Sequence, residues 1–176
     1  MKLGRTLLVV VGAVVAAAAI YGLSTSSLGE PVSPGADIPA LTASDGSGTT
    51  HALADLRGKP VVVFFYPKDE TPGCTKEACA FRDVWSRYQD ANVAVLGVSA
   101  SSTEGKAKFA EKHDLPFPLL ADEHLAWARA FGVRVLFGIP SRITFLIDKD
   151  GKVAREYRDV DPGVHAEQVL ADAQAL

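Results

Sequence analysis

Apolar and polar positions fall into distinct regimes along the chain. Leu7 to Leu23 (LLVVVGAVVAAAAIYGL) is apolar throughout, with Lys2 and Arg5 before it and Ser24 to Ser27 after it. This order marks a targeting segment, and the leading basic residues predict that everything beyond Ser24 is exported. A surface helix packed on a core would keep a polar face, which this run lacks. The run is longer than a signal-peptide core and slightly short of the about 20 residues of a comfortable span. Ala17 and Ala19 suit a cleavage site, yet Ile20 to Leu23 stays apolar where a mature terminus turns polar, so over residues 1–27 the pattern favours an uncleaved anchor helix over a cleaved signal peptide. Gly29 to Asp37 (GEPVSPGAD) is rich in Gly and Pro and reads as a linker over 28–37, followed by one domain over 38–176.

Inside that domain the periods are those of short strands and amphipathic helices. Gly46-Ser47-Gly48 is the turn of an N-terminal β-hairpin, and Val61 to Tyr66 (VVVFFY) is a continuous β-branched and aromatic run, as in a strand buried on both faces. Pro67 to Gly73 is a loop. Thr75 to Tyr88 predicts a helix, with Ala78, Phe81, Val84, Trp85 and Tyr88 at helical spacing. Val93 to Ser99 is a second buried strand, Ser102 to His113 a helix, Leu119 to Ala121 a short strand, and Leu125 to Phe131 a helix ended by Gly132. Ile143 to Ile147, the turn Asp150-Gly151 and Val153 to Tyr157 form a hairpin, and a closing helix starts near Pro162. This order predicts an α/β thioredoxin-like fold, with a central mixed sheet flanked by helices.

Composition narrows the function. The chain is 48% apolar and 22% charged, the balance of an ordinary globular protein. The net charge is −3, and no Lys/Arg run is interleaved with aromatics, so nucleic acid is excluded as a partner. Two cysteines, Cys74 and Cys79, are too few for a disulfide scaffold and few enough to be chemical. His51, His113, His124 and His165 share no ligand-like spacing, so no metal or cofactor is expected. Trp85 and Trp127 read as core, and Asp148 to Gly151 as a turn lacking the other ligands of a calcium loop.

The chemistry concentrates in Tyr66 to Cys79 (YPKDETPGCTKEAC), between a buried strand and a helix start. A cysteine in the first helical turn meets unpaired backbone N–H groups and the positive end of the macrodipole, which favour thiolate. Cys74 is thus placed to be a nucleophile. Thr71 is a candidate N-cap that also brings a hydroxyl near the sulfur, and Pro67 and Pro72 stiffen the loop.

The spacing Pro67-x-x-x-Thr71-x-x-Cys74 after a hydrophobic strand resembles the peroxidatic motif of peroxiredoxins, and Cys79 five residues on resembles their Q-type group, the bacterioferritin comigratory proteins. Arg142, before Ile143 to Asp148, stands where that family carries an arginine. The resemblance runs from about Asp37 to the C-terminus. It implies a thioredoxin-dependent peroxidase in which Cys74 is peroxidatic, Thr71 and Arg142 bind peroxide oxygens and activate the thiolate, Pro67 shields the pocket, and Cys79 resolves. It further implies hydroperoxide substrates, a thioredoxin-like reductant, a monomer and no cofactor; the leader adds a membrane contact. Residues five apart on an ideal helix have Cα atoms roughly 8.7 Å apart, whereas a disulfide needs less than about 7 Å. Pairing of Cys74 with Cys79 therefore requires the helix start to unwind.

Two other readings compete. Gly138-Ile139-Pro140 before Ser141-Arg142 resembles the segment of thioredoxin-like reductases that carries a cis-proline, which leaves the Ile139–Pro140 isomer open and allows a membrane-anchored disulfide oxidoreductase. That enzyme wants a C-x-x-C pair, and here the spacing is four. The other is a redox-sensing or structural domain with a permanent Cys74–Cys79 bridge.

Overall fold

The computed structural model describes residues 32–176. The 1–27 segment and the start of the linker lie outside the described residues.

Strand β1 (Thr42–Ser44) pairs antiparallel with β2 (Thr50–Ala52), forming the expected N-terminal hairpin. Its turn is held by Asp45, whose carboxylate accepts from the Ser47 and Thr49 N–H groups. A 3₁₀ turn (Leu53–Leu56) leads to β3 (Val61–Phe65). Then follow α1 (Pro72–Asp83), α2 (Trp85–Asp90), β4 (Ala94–Ser99), α3 (Thr103–Lys112), β5 (Leu119–Ala121) and α4 (Ala126–Ala130). A small hairpin, β6 (Val135–Leu136) and β7 (Ile139–Pro140), precedes β8 (Ile143–Ile147), β9 (Val153–Tyr157) and α5 (His165–Ala173).

The central sheet has the order β5-β4-β3-β8-β9. β3 runs parallel to β4 and antiparallel to β8, so the sheet is mixed, as the crossover and hairpin connections require. β3 is buried on both faces because the sheet separates two cores. Val62, Phe64 and Tyr66 point into one with Phe81, Tyr88, Phe109, Val169 and Leu170 of the helices. Val61, Val63 and Phe65 point into the other with Leu53, Trp127, Phe131 and Val133. This is the thioredoxin-like architecture expected from the element order.

Three stretches differ from the sequence reading, one of them the β6–β7 hairpin, which it did not include. The helix expected over Thr75 to Tyr88 starts earlier, at Pro72, and is broken at Val84 (φ −110, ψ 15). The break lets the Tyr88 hydroxyl donate to the Ala166 carbonyl at 2.8 Å and sets Trp85 against Phe117, contacts that offset the interrupted helix. The stretch read as linker is docked from Val32 onward. Val32 N–H donates to the Phe131 carbonyl just beyond α4, Gly35 N–H to Val153 at the start of β9 and Ile38 N–H to Gly151 in the turn before it, so this backbone is satisfied by the end of α4 and the β8–β9 turn. The Ile139–Pro140 bond, left open above, is trans.

Gly97 shows how tightly the first core is filled: a Cβ there would lie 2.7 Å from Leu119 Cδ2 and 2.7 Å from Phe64 Cζ. Gly97→Ala should therefore cost about 1–3 kcal/mol through overpacking. Urea unfolding should report it as a lower midpoint with an unchanged slope, and an unchanged midpoint would contradict this packing.

Candidate active site

The register of the sheet assembles the site. Phe65 at the end of β3 is paired with Ile143 at the start of β8, so the loop that leaves β3 and the residue that enters β8 are neighbours. Alternation along β8 then turns Arg142, Thr144 and Leu146 to the face covered by α1 and α5.

Helix α1 begins abruptly for local reasons. Thr71 is extended (φ −83, ψ 145), as the residue before a proline must be, and Pro72 takes the first helical position. The first helical bond runs from Thr75 N–H to the Thr71 carbonyl at 2.9 Å. Gly73 and Cys74 thus present N–H groups that have no partner within the helix. Cys74, Glu77, Ala78 and Phe81 are buried together on one face, whereas Cys79 points elsewhere and is half-buried.

Arg142 joins this face. Its Nη2 donates to Cys74 Sγ at 3.2 Å and its Nη1 donates to Glu77 Oε2. Gly73 leaves room for that approach, since a Cβ there would meet Arg142 Nη2 at 3.3 Å. Glu77 is 1% exposed and its other oxygen has no hydrogen-bond partner. Burial pushes its carboxyl up to about 7, with the Arg142 guanidinium pulling the other way. Arg142 is accordingly no surface ion pair: one fork of its guanidinium is held by a buried carboxylate while the other faces the thiol.

Thr71 occupies the N-cap position, but its hydroxyl does not cap the helix. It donates instead to the Lys68 carbonyl at 3.0 Å, so it braces the loop and makes no hydrogen bond to Sγ. Pro67 is half-buried at the loop entrance. Of the residues singled out in the sequence, then, Cys74 and Arg142 are in direct contact, Thr71 sits one turn before the sulfur, and Cys79 lies further along the same helix.

Sequence reasoning missed Glu77 and a second buried group beneath the loop. Lys106, fully buried, extends from α3 and donates to Tyr66 Oη at 2.6 Å, Asp69 Oδ1 at 2.9 Å and Ser99 Oγ. Tyr66 in turn donates to Asp69 Oδ1 at 2.7 Å. Burial lowers the Lys106 amine to about 8, opposed by Asp69. Next to Asp69, Glu70 takes a left-handed backbone (φ +64) and pairs with Lys112. Both acidic residues of the loop are therefore fastened to α3. The only sequence signal was the pair Asp69-Glu70 itself, and their partners lie some forty positions away.

A thiol at a helix N-terminus, with a guanidinium fork turned to it by a buried carboxylate, is an arrangement suited to thiol-dependent redox chemistry on a thioredoxin-like fold. The comparisons are specific. The sequence profile of the AhpC/TSA family matches residues 34–156. A chloroplastic peroxiredoxin Q of Sedum lineare is 42% identical over 157 residues, covering 88% of this chain and 84% of that protein. The crystal structure of peroxidoxin BcpB from Mycobacterium tuberculosis superposes with a TM-score of 0.76 at 38% identity, covering 81% of this chain and 97% of that one. The bacterioferritin comigratory protein of Xanthomonas campestris gives 0.72 at 33% identity over 78% and 96% of the two chains. The chain belongs to the AhpC/TSA family and, within it, to the Q-type peroxiredoxins, which are thiol peroxidases.

The buried groups make two predictions. The Glu77 carboxyl is at about 7 when folded against an ordinary 4.5, so between those values the folded chain binds the proton more tightly. Stability contributed at Glu77 should fall as pH rises across that window, by at most about 3 kcal/mol, and level off above it. Urea unfolding across the window should show a shallower pH slope for Glu77→Gln, and an equal slope would contradict the assignment. Lys106→Met should cost about 3–5 kcal/mol, because it leaves the Asp69 carboxylate buried without its cation; a loss below about 1 kcal/mol in the same assay would contradict the pairing.

Proposed function

We propose that Cys74 is the peroxidatic residue of a hydroperoxide reductase, with Cys79 resolving. The observation that carries this reading is the Arg142 Nη2 hydrogen bond to Cys74 Sγ, made at a helix N-terminus. In the proposed step the Cys74 thiolate attacks the terminal oxygen of a hydroperoxide. The S–O bond forms, the O–O bond breaks, and the alkoxide or hydroxide leaves and takes a proton from solvent. The Arg142 fork and the free N–H groups of the first turn are donors for the oxygen charge that develops. Thr71 Oγ1 donates to Lys68 and so keeps its lone pairs free to accept from the peroxide O–H. Pro67 limits water access from the loop side.

Resolution follows from the helix. Both thiols are free and both lie in α1, so a Cys74–Cys79 bond demands local unwinding. Cys79 attacks the sulfenic acid sulfur, the S–S bond forms, and the hydroxyl leaves as water with the Cys79 proton. A thioredoxin-type dithiol then takes up the disulfide by exchange. Alkyl hydroperoxides fit beside hydrogen peroxide, since the Xanthomonas campestris relative is described by its alkyl peroxide reduction activity. The order of basic, apolar and polar residues over 1–27 supports an exported domain held on the membrane by an uncleaved anchor.

Cys74→Ser should abolish turnover in a peroxide-consumption assay with a thioredoxin donor; residual activity beyond a small fraction would refute the assignment. Arg142→Lys should slow the peroxide step about 10- to 1000-fold, because a point charge cannot satisfy both the sulfur and Glu77. Cys79→Ser should complete one fast turnover in stopped flow and then accumulate sulfenic or sulfinic acid at Cys74. Normal cycling of that variant would mean a one-cysteine mechanism.

A further inference from the structure

The β6–β7 hairpin is an anomaly that peroxide chemistry does not use. Its two-residue turn, Phe137-Gly138, has φ of +51 and +78. That geometry suits Asn-Gly or Gly-Gly, and a bulky aromatic residue is rare in it. Phe137 is nevertheless 94% exposed, flanked by Leu136 at 54% and Ile139 at 47%, which face each other across the two strands. The side chain thus gains no burial in return for its strained backbone. An outlier of this kind points to a surface role.

The hairpin's position gives that role a direction. Val32, the first described residue, is bonded to the carbonyl of Phe131, and its side chain packs on the same core as Val133 and Val135. The chain runs from Phe131 directly into the hairpin. Between Leu23 and Val32 there are only eight residues, Ser24 to Pro31, which reach at most roughly 28 Å. An anchor at Leu7 to Leu23 would therefore keep this side of the domain against its membrane. At the foot of the hairpin, Arg134 is exposed and makes no ion pair among the described residues. Apolar side chains at a tip with a free arginine behind them form an interfacial pattern, the tip entering the acyl boundary and the cation meeting anionic headgroups.

We propose that the β6–β7 hairpin is a bilayer-contacting element, inserting Leu136, Phe137 and Ile139 into the membrane that carries the anchor. It places the mouth of the Cys74 site at the headgroup level, for phospholipid hydroperoxides. This rests on the anchor reading given under Proposed function. The site is close because Pro140 ends the hairpin and Arg142 is two residues on, with Ser141 N–H bonded back to the Arg134 carbonyl at 2.8 Å. A hydroperoxide group on an acyl chain is polar and is driven out of hydrocarbon toward the headgroups. It would rise to the level at which the hairpin holds the site.

The test uses the full chain in vesicles of equal parts phosphatidylcholine and phosphatidylglycerol, with and without brominated acyl chains. Phe137→Trp adds a fluorophore at the tip. Asp90→Trp is the control, exposed at the end of α2 beside the end of the sheet remote from Arg142. The chain should float with the vesicles. Brominated lipid should remove about half of the emission added by Phe137→Trp and leave that added by Asp90→Trp unchanged. Phe137→Ser should lower the ratio of the phospholipid-hydroperoxide rate to the hydrogen-peroxide rate several-fold. A chain that stays in the aqueous fraction overturns the anchor and this inference with it. A chain that floats while Phe137→Trp is unquenched, or while the rate ratio is unchanged, overturns the inference alone. So does a lipid-independent dimer that Phe137→Ser dissolves, which would assign the patch to a second copy.

Discussion

A single guanidinium, divided between a sulfur and a buried carboxylate, is the interaction around which this site is built. Arg142 has only so many directions for its donors, and the Glu77 carboxylate fixes one fork so that the other faces Cys74. A buried carboxylate is costly unless it is paired, and an arginine turned inward from a strand end needs an anion to meet it. Each thus makes the other tolerable, and the thiol occupies the position left over. Much of the local sequence can be read as accommodating this arrangement: the glycine at 73 that leaves room for Nη2, the proline that starts the helix sharply, and the spacing that puts Cys74 and Glu77 on one helical face.

The sheet provides the distance between those parts. Antiparallel pairing of β3 with β8 sets residue 142 beside the loop that follows residue 65, across a sequence gap that no local pattern bridges. The two cores then hold the sheet from both sides, so neither strand end can shift without disturbing aromatic stacks such as Phe64 on Phe81 at 4.6 Å. Precision at the sulfur is therefore a property of the sheet and its packing, while the loop and first helical turn carry the groups proposed to react.

What was legible in the sequence follows this division. The strands at Val61, Val93, Ile143 and Val153 were plain because continuous apolar runs and an Asp-Gly turn are local signals. Cys74 stood out for its place at a helix start. Arg142 was assigned through resemblance, and the register supplied the physical reason afterwards. Glu77 and Lys106 were invisible: on periodicity each is simply a charged residue in a helix, and only a partner 65 or 37 positions away makes it a buried one. The break at Val84 was missed because the apolar spacing continues across it, and the β6–β7 hairpin because its strands are two residues each and its turn carries phenylalanine where asparagine is expected.

The fastening of the Pro67–Gly73 loop to α3 bears on how the first helical turn can re-form once it has been lost. Starting a helix is the unfavourable step, since several backbone angles must be fixed before the first hydrogen bond returns anything. Here the loop up to Thr71 is held from outside the helix, by Lys106 on Asp69 and Lys112 on Glu70. Its last carbonyl is already where the Thr75 N–H must find it, and Pro72 has its φ set by its own ring. If α1 unwinds as the proposed resolution step requires, it would rewind against a template, because part of the helix nucleus is already fixed by the loop's attachment to α3.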